Sequence, residues 1–239
     1  MKLKENDIVL FSGDSITHGG RGESMDCNHI MGHGFQFIVS AKLAAENLES
    51  QPKFVNKGYS GATMGDLLRK WQTDVIANKP TVLNILAGTN DGLYGFHNGL
   101  TVEQAAENYR KNLESAVELT KKYLPETKII ICEPFFFPIY DKTTDFKFVP
   151  HPYCEENHGR PDLNETEEMI QYRIKADELI RECAKQTAEK YGTLFVPLYD
   201  ALKNAIGKSR TEYIMWDGTH PTVAGHFIIA EEWLKVVEI

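Results

Sequence analysis

Cysteine is scarce and scattered: Cys27, Cys132, Cys154 and Cys183 are the four in 239 residues, and none forms a CxxC pair. That excludes a zinc knuckle and a disulfide framework, and reads as reduced thiols, some of them buried. Long apolar runs are missing too. After Met1–Asp7 the first such run is only about five residues, too short for a signal-peptide core and far too short for a membrane span. A cytoplasmic protein is the simplest reading. Basic excess is absent: 26 Lys and Arg stand against 34 Asp and Glu, a net charge of -8, which argues against nonspecific binding of DNA, RNA or anionic lipid. There is no internal repeat, low-complexity tract or linker. With 42% hydrophobic residues the chain can bury one substantial core, so 1–239 is expected to form a single domain.

What is present alternates. Ile8–Ser12 reads as a buried strand, followed by a Gly-rich loop and apolar residues at helical spacing over Phe35–Leu48. Lys53–Asn56 reads as a strand, Met64–Ala77 as a helix and Thr81–Ala87 as a strand. Thr101 and Gln104 form a capping box before a helix whose one face carries Ala106, Tyr109, Leu113 and Val117. Lys128–Cys132, about Glu165–Tyr191, Leu194–Val196 and about Val223–Val237 continue as strand, helix, strand and helix. Near-continuous apolar strands alternating with helices imply a parallel sheet covered on both faces, an α/β fold. In such sheets the site lies beyond the carboxyl ends of the strands, where Ser15, Gly58 and Asn90 all fall.

One segment departs from the alternation. About 134–164, Pro134, Phe135, Phe136, Phe137 and further aromatics and prolines make a long insertion, expected to line a substrate pocket or to form a contact in a homo-oligomer.

Chemistry concentrates at the strand ends. Gly13-Asp14-Ser15 delivers a hydroxyl onto a glycine-flanked turn, and Asp217-Gly218-Thr219-His220-Pro221 sets a carboxylate and an imidazole three residues apart. A serine needs a base to take its proton and a carboxylate to fix that base's tautomer, roles that suit Ser15, His220 and Asp217. Acyl transfer also needs donors aimed at the oxyanion. Gly58, in Asn56-Lys57-Gly58-Tyr59-Ser60-Gly61, offers a backbone N–H, and Asn90, in Gly88-Thr89-Asn90-Asp91, a side-chain amide. Taken singly, each of these could be a turn residue.

Together the four blocks, in this order, resemble the SGNH hydrolases, the GDSL esterase and lipase family, over nearly the whole chain. The resemblance implies a flavodoxin-like three-layer α/β/α sandwich with a five-stranded parallel sheet in the order 2-1-3-4-5. It makes Ser15 the nucleophile, His220 the general base and Asp217 its orienting acid. The oxyanion hole it implies is the N–H groups of Ser15 and Gly58 with the Asn90 amide. Ile16 stands where the family usually has Leu. Ile16-Thr17-His18-Gly19-Gly20-Arg21 and Gly32-His33-Gly34-Phe35 are similar to the intracellular acetyl xylan esterase branch, which implies removal of small acyl groups from carbohydrate. A thioesterase or lysophospholipase acting on longer chains is the alternative.

Asp14, Arg21 and Trp216 are the candidates for the substrate side. Asp14 is expected to support the loop by accepting nearby N–H groups, Arg21 to anchor that loop or meet a polar substrate, and Trp216 to wall the pocket. Trp71 and Trp233 read as packing residues. His18, His29 and His33, with Asp26 and Cys27 between them, lack the spacing of a known zinc site, so neither metal nor cofactor is expected. A metal-dependent hydrolase and a non-catalytic carbohydrate-binding module remain as readings from other classes.

Overall fold

Residues 2–22, 29–139 and 166–237 are described by a computed structural model. Five parallel strands form one sheet in the order β2-β1-β3-β4-β5, with β1 Ile8–Gly13, β2 Lys53–Gly58, β3 Val82–Leu86, β4 Lys128–Cys132 and β5 Leu194–Val196. The register runs Gly13 against Gly58 and Leu86, and Ile130 against Leu194. This is the flavodoxin-like order. Because β1 pairs with β2 on one side and β3 on the other, the chain reverses its direction of travel between β1 and β3, and a crevice opens beyond their carboxyl ends.

The strands are apolar throughout because both faces are covered, and the pleat sorts alternate residues to opposite sides. Val9, Phe11, Val82, Ile130, Cys132 and Val196 face one core with α2 (Phe35–Glu46), α7 (Tyr199–Lys208), α8 (Thr211–Ile214) and α9 (Val223–Val236). Leu10, Leu83, Ile85, Ile129 and Ile131 face the other, with α3 (Met64–Arg69), α5 (Val102–Tyr123) and α6 (Glu167–Tyr191). Each buried Leu, Ile or Phe contributes roughly 1.5–3 kcal/mol by leaving water. Trp71 and Trp233 do pack in these cores, their indole N–H groups donating to Thr120 Oγ1 at 2.9 Å and Asn84 Oδ1 at 2.9 Å.

Four short helices escape the sequence pattern, α7 after β5 and three others on the path to the site. The segment α1 (Ser15–His18) begins where Asp14 Oδ1 accepts the Ile16 N–H at 3.0 Å and stops at Gly19. The helix α4 (Thr89–His97) follows β3, and α8 precedes the His220 turn. The helix expected over Met64–Ala77 is broken: α3 ends at Arg69, and a π-type turn over Gln72–Ile76 turns Val75 and Ile76 inward beside Trp71. The described start of the aromatic insertion packs into the core. Phe135, Phe136 and Phe137 are buried, and Phe137 stacks on Tyr199 at 4.8 Å. Residues 140–165, Cys154 among them, and the Asp26–Cys27 pair lie outside the described residues. Among the described residues no helix is long and apolar enough to cross a membrane.

Candidate active site

Ser15 is the first residue of α1, directly beyond β1, so the sheet edge and the Asp14 cap together fix its position. Its Oγ lies 2.8 Å from His220 Nε2, although the two residues are 205 positions apart in sequence. His220 Nδ1 lies 2.6 Å from Asp217 Oδ2. The other carboxylate oxygen, Asp217 Oδ1, accepts the N–H groups of Thr219 at 2.9 Å and His220 at 2.7 Å. The three-residue spacing is therefore mechanical: one carboxylate folds its own turn and holds the imidazole that the turn presents.

Burial would by itself lower the pKa of His220. The hydrogen bond and charge of Asp217, helped by Asp14, outweigh it and hold the imidazole above its ordinary value, with Arg173 opposing. For Asp217 burial acts upward, and its bonds to His220 and to the two backbone N–H groups reverse the sign, keeping the carboxylate below the usual range. A basic imidazole bonded to a serine hydroxyl and oriented by an ionised carboxylate can accept the hydroxyl's proton.

The oxyanion donors need one correction. The Gly58 N–H already donates to Asn56 Oδ1 at 2.8 Å, so it is not available to an oxyanion. Gly58 is glycine for space: a Cβ there would lie 2.3 Å from His18 N and 2.6 Å from Thr17 C. Three residues on, Gly61 sits at φ +73° in the turn closed by Ala62 N–H donating to Tyr59 O, and its own N–H meets no acceptor among the described residues. Asn90, at the start of α4, donates one amide hydrogen to Ala62 O at 3.0 Å, which ties it to the same turn and leaves the second hydrogen uncommitted. The Ser15 N–H, at the open start of α1, is likewise without an acceptor among the described residues.

The three candidates on the substrate side part company. Asp14 is 1% exposed and caps α1; burial, against the pull of the Ile16 N–H and His220, pushes its carboxyl up to about 7. It is a support beneath Ser15, with no face turned to a substrate. Arg21 anchors the loop: its Nε donates to Gly58 O at 2.9 Å and its guanidinium lies 5.0 Å from the Tyr59 ring centre. Trp216 is 37% exposed, its ring centre 6.3 Å from that of His220 and its backbone N–H donating to His220 O at 2.7 Å. Of the histidines considered for metal, His18 Nδ1 accepts the Gly20 N–H at 3.2 Å.

Sequence reasoning passed over Arg173. It is buried on α6, with its guanidinium 3.7 Å from the Phe136 ring centre and Nη2 donating to Thr219 Oγ1 at 2.9 Å, inside the turn between Asp217 and His220. The signal was an arginine on the stripe Met169, Arg173, Ala176 and Ile180, where the helix period demands an apolar residue.

The chain is similar to known proteins over nearly its whole length. The model of the GDSL-like lipase/acylhydrolase family matches residues 11–228. An acetylxylan esterase of Geobacillus stearothermophilus is 32% identical over 99% of this chain and 96% of its own. A crystal structure of that organism's acetylxylan esterase Axe2 aligns over 100% of this chain and 97% of its own, with a TM-score of 0.75 and 28% identity. A Parabacteroides merdae protein described as a GDSL-like lipase aligns over 98% of this chain and 97% of its own, with a TM-score of 0.78 and 29% identity. Structures of Axe2 described as catalytic mutants replace a serine, an aspartate and a histidine by alanine.

Proposed function

The chain belongs to the GDSL-like lipase/acylhydrolase family, and on that premise we propose that it is a serine esterase that removes acetyl groups from carbohydrate through an acyl-enzyme. The observation that carries the reading is the unbroken chain from Ser15 Oγ to His220 at 2.8 Å and from His220 to Asp217 at 2.6 Å.

In the reaction so read, Ser15 Oγ attacks the ester carbonyl carbon as its proton passes to His220 Nε2. The carbonyl oxygen becomes an oxyanion that accepts hydrogen bonds from the Ser15 and Gly61 N–H groups and the free Asn90 amide hydrogen. The intermediate collapses by breaking the bond to the sugar oxygen, which leaves as the alcohol with the proton from His220. Water then repeats the sequence on the acyl-serine: His220 takes its proton, acetate departs, and Ser15 regains its hydrogen. Asp217 stabilises the imidazolium in both halves without itself taking the proton. Trp216, its ring beside that of His220, walls the imidazole side of the site.

Acetylated saccharide as the substrate class comes from the relatives' activity. The test is hydrolysis of 4-nitrophenyl acetate by the wild type and by Ser15→Ala, with folding checked by circular dichroism. The wild type should turn the ester over and Ser15→Ala should lose turnover; a variant retaining wild-type rates would remove Ser15 from the nucleophile's role. Octanoate in place of acetate reads acyl length, and a preference for octanoate would favour the thioesterase or lysophospholipase alternative.

A further inference from the structure

A cleft of about 680 Å³ is lined by the Tyr59–Thr63 turn, α3, and Tyr94 and Asn98 of α4 and its end. It is within the range of small-molecule sites, and far larger than an acetyl group requires. It adjoins the candidate oxyanion hole through one shared residue. Gly61 lies in its wall, and His18 brings the end of α1, the helix that starts at Ser15, to its margin. Asn90 and Tyr94 are one turn apart on α4 and so share a face. A Cβ on Gly61 would lie 3.4 Å from Tyr94 Oη, so the phenol reaches over the oxyanion turn.

The lining says what kind of molecule fits. Tyr94 is 42% exposed, an aromatic ring open to solvent beside the oxyanion turn. Its hydroxyl, the Ser60 hydroxyl and the Asn98 side-chain amide all lie on the cleft, and none has a hydrogen-bond partner among the described residues. Charges of both signs, Asp66 and Lys70, stand at the rim, so no net field selects an ion. A long acyl chain laid here would cover three polar groups that it cannot bond, at a cost of order 1–3 kcal/mol each if they were fully desolvated. A sugar ring offers what the cleft lacks: an apolar face for the phenol and hydroxyls around its edge.

We propose that this cleft binds the alcohol side of the ester, a saccharide unit adjoining the acetylated one, with Tyr94 as the platform under the ring and Ser60 and Asn98 bonding its hydroxyls. The proposal deepens the acetyl-esterase reading and rests on it.

The experiment compares kcat/KM of the wild type, Tyr94→Ala and Asn98→Ala on acetylated xylo-oligosaccharide, trifluoroethyl acetate and 4-nitrophenyl octanoate. A second arm titrates unacetylated xylo-oligosaccharide by calorimetry into Ser15→Ala, with and without Tyr94→Ala. On the saccharide ester Tyr94→Ala should lose at least tenfold more than on trifluoroethyl acetate, mainly through KM, and Asn98→Ala, whose change leaves the oxyanion turn alone, should lose in the same direction. The calorimetric binding should weaken with Tyr94→Ala. Equal losses on all three esters, or none, would overturn the subsite, and a loss largest on octanoate would make the cleft an acyl groove. If the wild type cleaves trifluoroethyl acetate but the variants show no saccharide-specific loss and no change in titration, the subsite alone falls. If the wild type cleaves no acetate ester, the esterase reading falls with it.

Discussion

Replacing Asp217 by asparagine separates the two duties of its carboxylate. Oδ1 holds the Thr219 and His220 N–H groups, and Oδ2 holds the imidazole. An amide has one oxygen for these three donors. Turning it toward Nδ1 would leave two backbone N–H groups facing an NH₂ group, at about 1–3 kcal/mol for each unsatisfied donor. The oxygen therefore stays with the backbone and the NH₂ group faces Nδ1. That nitrogen must then accept, the imidazole proton moves to Nε2, and the ring presents a donor to Ser15 Oγ where catalysis needs an acceptor. The expected loss in kcat is about 10⁴, the scale of a wrong-tautomer triad, which corresponds to about 5.5 kcal/mol on the barrier. Activity requires neutral His220 and is lost as pH falls through its pKa. In the variant the two largest upward causes, the hydrogen bond and the charge of Asp217, are gone while burial remains and only the charge of Asp14 still acts upward, so the midpoint of the residual activity should move to lower pH. The assay is 4-nitrophenyl acetate hydrolysis across pH, with thermal unfolding alongside to check that the turn persists. A variant within tenfold of the wild type, or a midpoint that moves upward, would refute the tautomer argument.

Asn90→Ala should cost about 10²–10³ in kcat as the loss of one oxyanion donor, with KM little changed; an unaltered kcat would take the amide out of the hole. Gly58→Ala keeps the backbone N–H but forces a methyl against the backbone of His18 and Thr17, so denaturant unfolding should show a loss of roughly 1–3 kcal/mol or more, and full stability would contradict the packing role. Asp91 is buried, and burial, against the pull of the Met64 N–H and with Asp14 adding to it, pushes its carboxyl up to about 7 from an ordinary 3.8. The folded state therefore holds the Asp91 proton more tightly than the unfolded chain, and this contribution to stability is full below pH 3.8 and is lost as pH rises to about 7. Asp91→Asn should be relatively more stable at pH 8 than at pH 4, each compared with the wild type by urea unfolding, and parallel pH profiles would count against it.

The sheet was legible because its physics is local. Val9–Phe11 and Ile129–Ile131 are apolar without a break, as strands buried on both faces must be. The helix α5 announces itself through Thr101 and Gln104, whose reciprocal bonds are formed at 3.2 Å and 2.9 Å. The helix α4 carries two glycines, Gly92 and Gly95, which weaken its helical pattern. They answer to neighbours distant in sequence: a Cβ on Gly95 would lie 2.7 Å from both Ala105 Cβ and the Tyr172 hydroxyl, so glycine is what lets α4 sit against α5 and α6. The break after Arg69 was equally invisible, since the apolar spacing of Trp71, Val75 and Ile76 suits an α-helix as well as the wider turn that forms.

The site divides along the same line. Ser15, Asp217 and His220 could be picked out because each sits in a short segment whose spacing carries its chemistry, and the structure brings the three into one hydrogen-bonded chain. The sequence points to Gly58, a glycine directly after a strand, as the donor of a backbone N–H. Whether that N–H is free depends on Asn56, whose side chain bonds back to it while its amide nitrogen ties down Thr17 O and Met31 O at 2.8 Å and 2.9 Å. Asn56 is therefore a strut between β2 and the loop that carries the end of α1, and a strut so placed must consume the nearest donor. Arg173 makes the complementary point from α6, where the buried guanidinium meets Thr219 and Phe136 and is coupled by charge to Asp177. The chemistry is written in contiguous motifs, but the parts that hold those motifs in register come from elements remote in sequence, and only their burial reveals them.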